Sequence, residues 1–358
     1  PSWIKPGVSA WDHWWSGEVK MEQSVIYEYI DLASKMGWPY MLIDWQWYGQ
    51  FNQSGADIKK PAPQLNMPEI LQYAKSKNVR CWLWMYNTDV DRFNFEEACA
   101  LYEKWGIAGI KIDFMDSDDQ EMINWYHRVV KTAAKYHLMV NFHGAFKPDG
   151  WQRTYPNLVT REGVLGNEYN KWSIRITPEH LCTLPFTRML AGPMDFTPGG
   201  FLNRNPDKFQ NGIPAQVLGT RANTLSQFVI YDSPYLVACD HPKNYYGQVG
   251  EDFLKQVKSV WDDSKVLNGT ISEYITMARR SGNIWFIGSM TNSFEREMEI
   301  KLDFLSDGNY KMISFSDTEK TKENAEIAER KETTVKKGDV VKIKMAPGGG
   351  FAAWIEKE

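Results

Sequence analysis

The sequence predicts an α/β fold: a (β/α)8 TIM barrel over residues 1–268, followed by a small antiparallel β-sandwich over 269–358. Three observations support this. Short continuous apolar runs alternate with amphipathic segments from residue 7 to about 265, which is typical of a parallel sheet buried on both faces. The chain has 358 residues, enough for a barrel of roughly 250 residues and a smaller module. After residue 269, apolar and polar residues alternate between turn residues.

The barrel elements follow one another in strand–helix order. The first helix is indicated by apolar residues at helical spacing, such as Ile26, Ile30 and Ala33, and by Gly37 as its stop. Eight strands favour a barrel over a doubly wound sheet, the weaker alternative. The predicted strands are 7–15, 39–47, 79–87, 109–116, 138–144, 158–164, 189–196 and 234–240, and the predicted helices are 20–37, 66–78, 94–106, 119–137, 213–232 and 251–263.

The C-terminal module is predicted from three stretches of alternating pattern, 269–292, 298–317 and 333–358. The charge-rich stretch 316–339 is predicted to be a solvated hairpin or loop.

Composition excludes several classes of function. The net charge of −4 and the absence of a Lys/Arg cluster argue against nucleic acid or an anionic membrane as partner. No apolar run approaches the roughly 18 residues that span a bilayer. The four cysteines form no C-x-x-C pair, so buried thiols are expected rather than disulfides. The chain starts at Pro1 without Met or a signal peptide, and we therefore expect a fragment or a processed chain.

Every predicted barrel strand ends in a polar or ionisable residue beside aromatic residues. Catalytic groups of barrels lie at these ends, and paired carboxylates in an aromatic-lined cup suit glycoside hydrolysis. Helix capping is the simpler explanation for any single one of them. The strand-end residues are Asp12, His13, Asp44, Asn87, Asp89, Asp113, Asp116, Asn141, His143, Glu162, Glu168, Asp195 and Asp240.

The stretch GIKIDFMDSDD, residues 109–119, carries four aspartates. Strand alternation places Lys111 and Asp113 on one face at the barrel mouth, where the ammonium would favour the charged form of the carboxyl that a nucleophile needs. A structural ion pair is the alternative. Asp118 and Asp119 are expected to serve the start of the next helix. Asp116 is a candidate contact to a sugar hydroxyl.

Metal ligation is predicted only for a hard cation. The six histidines lack zinc-ligand spacing, and His143, at a strand end, is a candidate substrate contact. Glu162 and Glu168 leave one loop in close succession and offer the oxygen ligands that Ca²⁺ prefers.

Three stretches, 109–120, 141–168 and 184–201, resemble glycoside hydrolase family 97, a group of calcium-dependent α-glucosidases and α-galactosidases. The resemblance covers almost the whole chain. It implies Asp113 as nucleophile, since the inverting α-glucosidases have lost that carboxylate. Those members carry a base glutamate directly after the strand-five histidine, where this chain has Gly144.

The same resemblance implies Glu168 as the acid/base, Glu162 as a calcium ligand and Glu168 as a group that also approaches the ion. It implies one Ca²⁺, incompletely held without the N-terminal β-sandwich that family members carry, and a periplasmic or secreted bacterial protein.

These expectations combine into a retaining exo-α-galactosidase, expected to be a monomer, that acts on an oligosaccharide or small glycoside. Lys111, Asp44 and Trp45 are the expected sugar contacts. The alternatives are an α-glucosidase or other α-glycosidase of the same family and a catalytically silent carbohydrate-binding fragment. A metal-dependent sugar isomerase is disfavoured by the lack of a His/Glu ligand cluster.

Overall fold

The computed structural model describes residues 1–14 and 19–358, which form two compact units. The barrel unit comprises residues 1–166, 191–197 and 233–242. The sandwich unit comprises residues 167–190, 198–232 and 243–358. The end of the predicted first strand, Trp15, lies outside the described residues.

The elements follow the chain in this order. The first part contains β1 (Gly7–Trp11), α1 (Gln23–Met36), β2 (Tyr40–Ile43), α2 (Met67–Ser76), β3 (Arg80–Tyr86), α3 (Asn87–Arg92), α4 (Phe95–Trp105), β4 (Gly109–Asp113), α5 (Gln120–Lys135), β5 (Met139–Phe142) and β6 (Leu158–Arg161). The middle contains α6 (Pro178–Thr183), β7 (Asn203–Arg204), β8 (Val217–Leu218), α7 (Arg221–Ile230), β9 (Tyr235–Ala238), α8 (Pro242–Tyr245) and α9 (Glu251–Gln256). The last part contains β10 (Asp263–Thr270), β11 (Tyr274–Ser281), β12 (Ile284–Thr291), β13 (Arg296–Lys301), β14 (Asn309–Ser316), β15 (Glu329–Lys336), β16 (Val340–Met345) and β17 (Gly350–Lys357).

The barrel unit is built on a seven-stranded parallel sheet in the order β6-β5-β4-β3-β2-β1-β9. This confirms the predicted barrel class, but the predicted strand at 189–196 is wrong. Residues Arg188–Ala191 form a 3-10 turn instead. Gly192 follows with φ +133°, and Pro193 lacks the N–H that a ladder needs. One backbone bond, from Asp195 N to Arg161 O (2.9 Å), still ties this segment to the end of β6.

Local signals in the sequence place the helices of the barrel unit well. Gly37, at φ +71°, ends α1 as predicted. Asn66 and Asn94 accept backbone N–H groups at the starts of α2 and α4. Asp119 caps α5 by accepting Met122 N at 2.9 Å, as predicted, whereas Asp118 is an exposed residue before it.

Two predicted helices are shorter than expected. The helix predicted at 213–232 begins only at Arg221, where Thr220 accepts the N–H of Asn223, because Gly219 at φ +119° interrupts the preceding chain. The helix predicted at 251–263 ends at Gln256, and Asp263 already begins β10. The predicted domain boundary at 268/269 therefore falls inside a strand.

The sandwich unit contains a six-stranded sheet, β10-β11-β12-β17-β14-β15, and a two-stranded sheet, β13-β16. Their buried residues form one apolar cluster that includes Trp285, Ile300 and Ile343, as expected for two packed sheets. The stretch 316–339 is more ordered than predicted, with a 3-10 turn at Glu319–Lys322 and strand β15 paired to β14. Because β15 is an edge strand, its charged residues face solvent.

Helix α7 packs on the sheet of the sandwich unit through two glycines. A Cβ at Gly288 would lie 2.8 Å from Ser226 O, and a Cβ at Gly350 would lie 2.5 Å from Asn223 Cα. Only residues without a side chain allow this approach. All ten residues of α7 are buried.

All four cysteines are buried and free, as predicted. Among the described residues, no helix combines the length and the apolar character needed to cross a bilayer.

Candidate active site

Asp113 ends β4 with its two carboxyl oxygens held by different donors. The Trp84 indole N–H donates to Oδ2 at 3.1 Å, and the Phe114 backbone N–H donates to Oδ1 at 2.8 Å. Phe114 turns the chain away from the strand with φ +65°. The carboxyl is half-buried and fixed in direction at the C-terminal edge of the sheet, where barrels carry their reactive groups.

Aromatic rings flank this carboxyl. Phe114 stacks on Tyr86 at 5.1 Å between ring centroids, and Tyr86 stacks on Phe51 at 5.2 Å. Asp116 is exposed, with φ +52°. Burial and the negative charge of Asp116 together raise the pKa of the Tyr86 phenol. The strand-end pattern did not single out either phenylalanine: Phe51 lies in a loop, and Phe114 is an apolar neighbour of Asp113.

Lys111 forms a buried ion pair with Asp44, with 3.1 Å between Nζ and Oδ2 and 2% exposure of both side chains. The Trp11 indole N–H donates to the same Oδ2 at 2.7 Å, and the Lys111 ammonium lies 4.7 Å from the Trp11 ring centroid. Burial opposes the charge of Asp44, but Lys111, His13 and the N–H donors outweigh it and lower the pKa of Asp44 to about 2. The Lys111 ammonium was expected to act on Asp113. It is instead paired with Asp44, which directly follows β2.

Asp12 lies beside this pair, and its pKa is shifted in the opposite direction from that of Asp44. Its Oδ1 accepts the Asp44 backbone N–H at 3.2 Å. Burial, followed by repulsion from Asp44, raises the pKa of Asp12 well above its ordinary value. The two neighbouring carboxyls therefore have pKa values that are shifted in opposite directions. The strand-end pattern included Asp12, but nothing in the sequence distinguished it from Asp44.

Trp45 lies in the wall of a cavity of about 490 Å³ at the ends of β1 and β2. Its ring contacts His13 at 4.7 Å between centroids, and its backbone N–H donates to Asp44 at 2.8 Å. Asp12, Gln46 and Gln64 also line the cavity. An indole face with amide and carboxyl groups around it is the kind of lining that a sugar requires.

His143 is the centre of a buried polar network after β5. Its Nε2 lies 2.6 Å from Asp195 Oδ2, which also accepts from the Asn141 amide at 2.6 Å. Its Nδ1 lies 3.7 Å from Glu162 Oε1. Burial and Lys111 disfavour the imidazolium, but Glu162 and Asp195 outweigh them and raise the pKa of His143 to about 9. The predicted substrate contact His143 is therefore held in place by Asp195, and its two carboxylate neighbours favour its protonated form.

Gly144 joins this network to Asp113. Its N–H donates to Glu162 Oε2 at 2.8 Å, and its φ of +55° is one that side chains disfavour. A Cβ at this position would lie 2.9 Å from Phe114 N and 3.4 Å from Asp113 Oδ1. The space that a side chain would occupy is filled by the chain that carries Asp113.

Two further strand-end residues of the sequence, Asp89 and Glu168, have different environments. Asp89 is fully buried and accepts from Tyr48 Oη at 2.8 Å and Asn52 N at 2.9 Å, so it serves as a structural anchor. Glu168 belongs to the sandwich unit and lies on a 3-10 helix, Asn167–Lys171, rather than at a strand end. Its Oε1 is 3.3 Å from the ammonium of Lys171.

Comparison with protein families gives two matches. Residues 7–164 match the family described as glycoside hydrolase 97. Residues 260–356 match the family described as glycosyl-hydrolase 97 C-terminal, oligomerisation.

A retaining alpha-galactosidase of Bacteroides thetaiotaomicron is 35% identical over 366 residues, covering 99% of this chain and 55% of that protein. The chain spans about half the length of the curated relatives it matches.

Solved structures give the same picture. A glycoside hydrolase family 97 enzyme of Pseudoalteromonas sp. strain K8, in complex with panose, superposes with a TM-score of 0.89 at 30% identity, over 100% of this chain and 61% of that one. A beta-arabinopyranosidase superposes with a TM-score of 0.80 at 25% identity, over 98% of this chain and 56% of that one.

Proposed function

This chain belongs to glycoside hydrolase family 97, and from that premise we propose that it is a retaining exo-α-galactosidase with Asp113 as nucleophile and Glu168 as acid/base. The observation that carries the proposal is the fixed orientation of Asp113 at the barrel mouth by Trp84 and Phe114.

The surroundings of Gly144 support retention. In the inverting branch, the family resemblance places a base glutamate at this position. Here a side chain would collide with the Phe114 backbone and approach Asp113 Oδ1. The backbone that follows Asp113 therefore leaves no room for a glutamate side chain at 144. This chain has the aspartate and lacks the glutamate.

The reaction is a double displacement. Asp113 attacks the anomeric carbon of the galactoside and forms a β-galactosyl ester as the glycosidic bond breaks, while Glu168 gives its proton to the leaving oxygen. Glu168 then removes a proton from water, whose oxygen attacks the same carbon and releases Asp113. Two inversions return α-galactose.

Sugar binding is assigned to the side chains around the Asp44–Lys111 pair. Asp44 stays ionised and accepts from sugar hydroxyls, Lys111 and His143 donate, and Trp45 offers its ring to the C–H face of the sugar. Asp116, exposed beside Tyr86, is assigned a contact at the outer rim.

Calcium is proposed to bind through Glu162 and Glu168, since carboxylate oxygens are its preferred ligands. Glu162 fits this role: its side chain is 17% exposed, and its Oε2 is oriented by the Gly144 N–H. A bound Ca²⁺ would supply a fixed positive charge that polarises substrate oxygen. Calcium should raise the melting temperature of the wild type and not of Glu162→Gln, and an equal rise in both would refute the assignment of Glu162.

Product analysis by NMR tests the function and mechanism together. With 4-nitrophenyl α-galactoside, the first product signal should be that of α-galactose, with the β-anomer appearing later by mutarotation. If β-galactose appears first, the mechanism is inversion and the nucleophilic role of Asp113 is wrong.

A second candidate substrate follows from the structural relative named beta-arabinopyranosidase. A β-L-arabinopyranoside has the ring stereochemistry of an α-D-galactoside and lacks only the exocyclic CH₂OH group. Comparing kcat/KM for nitrophenyl α-galactoside, β-L-arabinopyranoside and α-glucoside will rank the candidates. Preference for the glucoside would move the chain to the α-glucosidase alternative. No turnover of any of them, with galactose still bound, would favour a silent carbohydrate-binding protein.

The oligomeric state is a separate question. A monomer was expected, yet residues 260–356 match a domain family described as oligomerisation. The monomer expectation is therefore not confirmed, and light scattering coupled to size-exclusion chromatography will decide it. A periplasmic or secreted location stays a proposal from the family resemblance.

A further inference from the structure

The segment that carries Glu168 presents two aromatic rings to solvent. Tyr169 is 38% exposed and Trp172 is 60% exposed. Single exposed apolar residues are common on folded proteins, but apolar side chains that lie together on the surface often mark a binding site. The mechanism above uses neither ring.

The backbone under these rings is firmly anchored. Asn167, Asn170 and Lys171 are buried, and the Asn170 amide donates to Asn167 O at 3.0 Å. The Trp172 backbone N–H donates to Tyr169 O at 3.0 Å. The two rings meet edge to face, with centroids 5.6 Å apart and planes at 88°. They therefore form a fixed corner rather than two loose side chains.

Lys171 couples this corner to Glu168. Its side chain is 1% exposed, and its ammonium lies 3.3 Å from Glu168 Oε1. The same ammonium lies 5.6 Å from the centroid of the Trp172 ring, within the range of a cation–π contact. One buried cation thus contacts both the indole and the proposed acid.

The proposed mechanism determines which part of the substrate lies beside Glu168. A general acid must reach the glycosidic oxygen, whereas the nucleophile approaches the anomeric carbon from the opposite face. The group on the far side of the glycosidic oxygen is the leaving group, so it lies next to the segment that carries the acid.

We propose that Tyr169 and Trp172 form a binding site for the leaving-group sugar, so that the preferred substrates are galactosides of another pyranose. The proposal rests on the proposed function. An indole and a phenol give flat apolar faces with polar edges, which match the C–H face and hydroxyl rim of a pyranose. The neighbouring Ser173 and Arg175 are polar groups suited to the rim of such a site.

The test compares two substrates that differ in the leaving group. Melibiose carries a sugar on the far side of the scissile bond, and α-galactosyl fluoride carries only fluoride. Trp172→Ala should lower kcat/KM for melibiose about tenfold, the factor that corresponds to about 1.4 kcal/mol. It should change kcat/KM for the fluoride less than twofold. Trp172→Phe should restore most of the loss.

Ile174→Ala is the matched control, since Ile174 is a 67% exposed aliphatic residue of the same segment. It should leave both substrates unaffected. Three results would each overturn the proposal. Trp172→Ala could lower kcat/KM equally for both substrates, or it could leave kcat/KM for melibiose unchanged. Ile174→Ala could lower kcat/KM for melibiose as much as Trp172→Ala does. An equal loss in Ile174→Ala is expected if an apolar protein surface, and not a sugar, covers residues 169–174.

A binding measurement separates this proposal from the proposed function. In the Asp113→Asn background, melibiose should bind about tenfold tighter than methyl α-galactoside, and Trp172→Ala should abolish that difference. If the wild type hydrolyses neither substrate, the proposed function fails, and this comparison still decides the aromatic site. Equal affinity for the two ligands would refute it.

Discussion

Asp113 and Asp119 come from one acidic run but have different environments. Asp113 has one carboxyl oxygen on the Trp84 indole and the other on the Phe114 N–H. Asp119 is an exposed cap at the start of α5. Strand alternation and the position of the next helix were enough to separate the two in the sequence, since both rules are local.

Replacement of the proposed nucleophile should be severe. Asp113→Asn should lower kcat on the order of 10³-fold or more, because the amide cannot form the glycosyl ester. Asp119→Asn is the matched control and should retain activity and stability, because asparagine also caps helices. Steady-state kinetics on nitrophenyl α-galactoside and circular dichroism melting measure both. Wild-type turnover in Asp113→Asn would contradict the assignment.

The Asp44–Lys111 pair should behave as one buried unit. Asp44→Asn or Lys111→Met alone should each lower the free energy of unfolding by about 3–5 kcal/mol, because each leaves an uncompensated buried charge. The double variant should lose much less than the sum of the two. Urea unfolding of the wild type, the two single variants and the double variant measures the coupling free energy of the pair. The exposed pair Lys301–Asp303 is the control, and Lys301→Met should cost less than about 1 kcal/mol. Additive losses at Asp44 and Lys111 would show that the pair is not coupled.

At the scale of elements, helix boundaries were predicted correctly where nearby residues mark them. Predictions failed where an element depends on a packing partner that is distant in the sequence. Gly37 marks the C-terminus of α1, and Asn66 and Asn94 mark the N-termini of α2 and α4. The strand predicted at 189–196 has suitable apolar residues, but Gly192 and Pro193 interrupt it. Helix α7 was predicted as one of the barrel elements, whereas it belongs to the sandwich unit and packs on the sheet of that unit. Nothing in its own ten residues identifies that partner.

The packing of α7 gives a direct test. Gly350→Ala should lower the free energy of unfolding by about 2 kcal/mol or more, because the new methyl meets the backbone of Asn223 and cannot be accommodated by a side-chain rotation. Gly55→Ala is the control, since nothing lies within 4 Å of the added Cβ. Chemical unfolding measures both. Equal stability of the two variants would contradict the close approach of α7 to the sheet at Gly350.

At the scale of the molecule, the stability of the sandwich unit is expected to depend on pH through Asp317. Its Oδ2 accepts the backbone N–H groups of Ala346 and Gly350 at 3.0 and 2.9 Å. Burial nevertheless dominates and raises the pKa of Asp317 from 3.8 to about 7. The folded state therefore binds this proton more tightly than the unfolded chain does between about pH 4 and 7.

The sign follows from proton linkage. The contribution of Asp317 to stability is full below about pH 4 and is lost as the pH rises towards 7, with a slope of at most about 1.4 kcal/mol per pH unit. Asp317→Asn should remove this component. The measurement is the difference in unfolding free energy between wild type and variant at pH 4.5, 6 and 8. A difference that stays constant with pH would contradict the raised pKa.

The sequence by itself determined the barrel and sandwich classes, the boundaries of α1, α2, α4 and α5, and the place of Asp113 at the end of a strand, because these depend on periodicity, capping and alternation within a few residues. Tertiary structure decided which charges meet. It paired Lys111 with Asp44, raised the pKa of Asp12 by burying it beside that pair, and brought Asp195 to His143. It also filled the space next to Gly144 with the chain that carries Asp113. Those contacts join residues far apart in the chain, and burial sets their energies, so no local pattern encodes them.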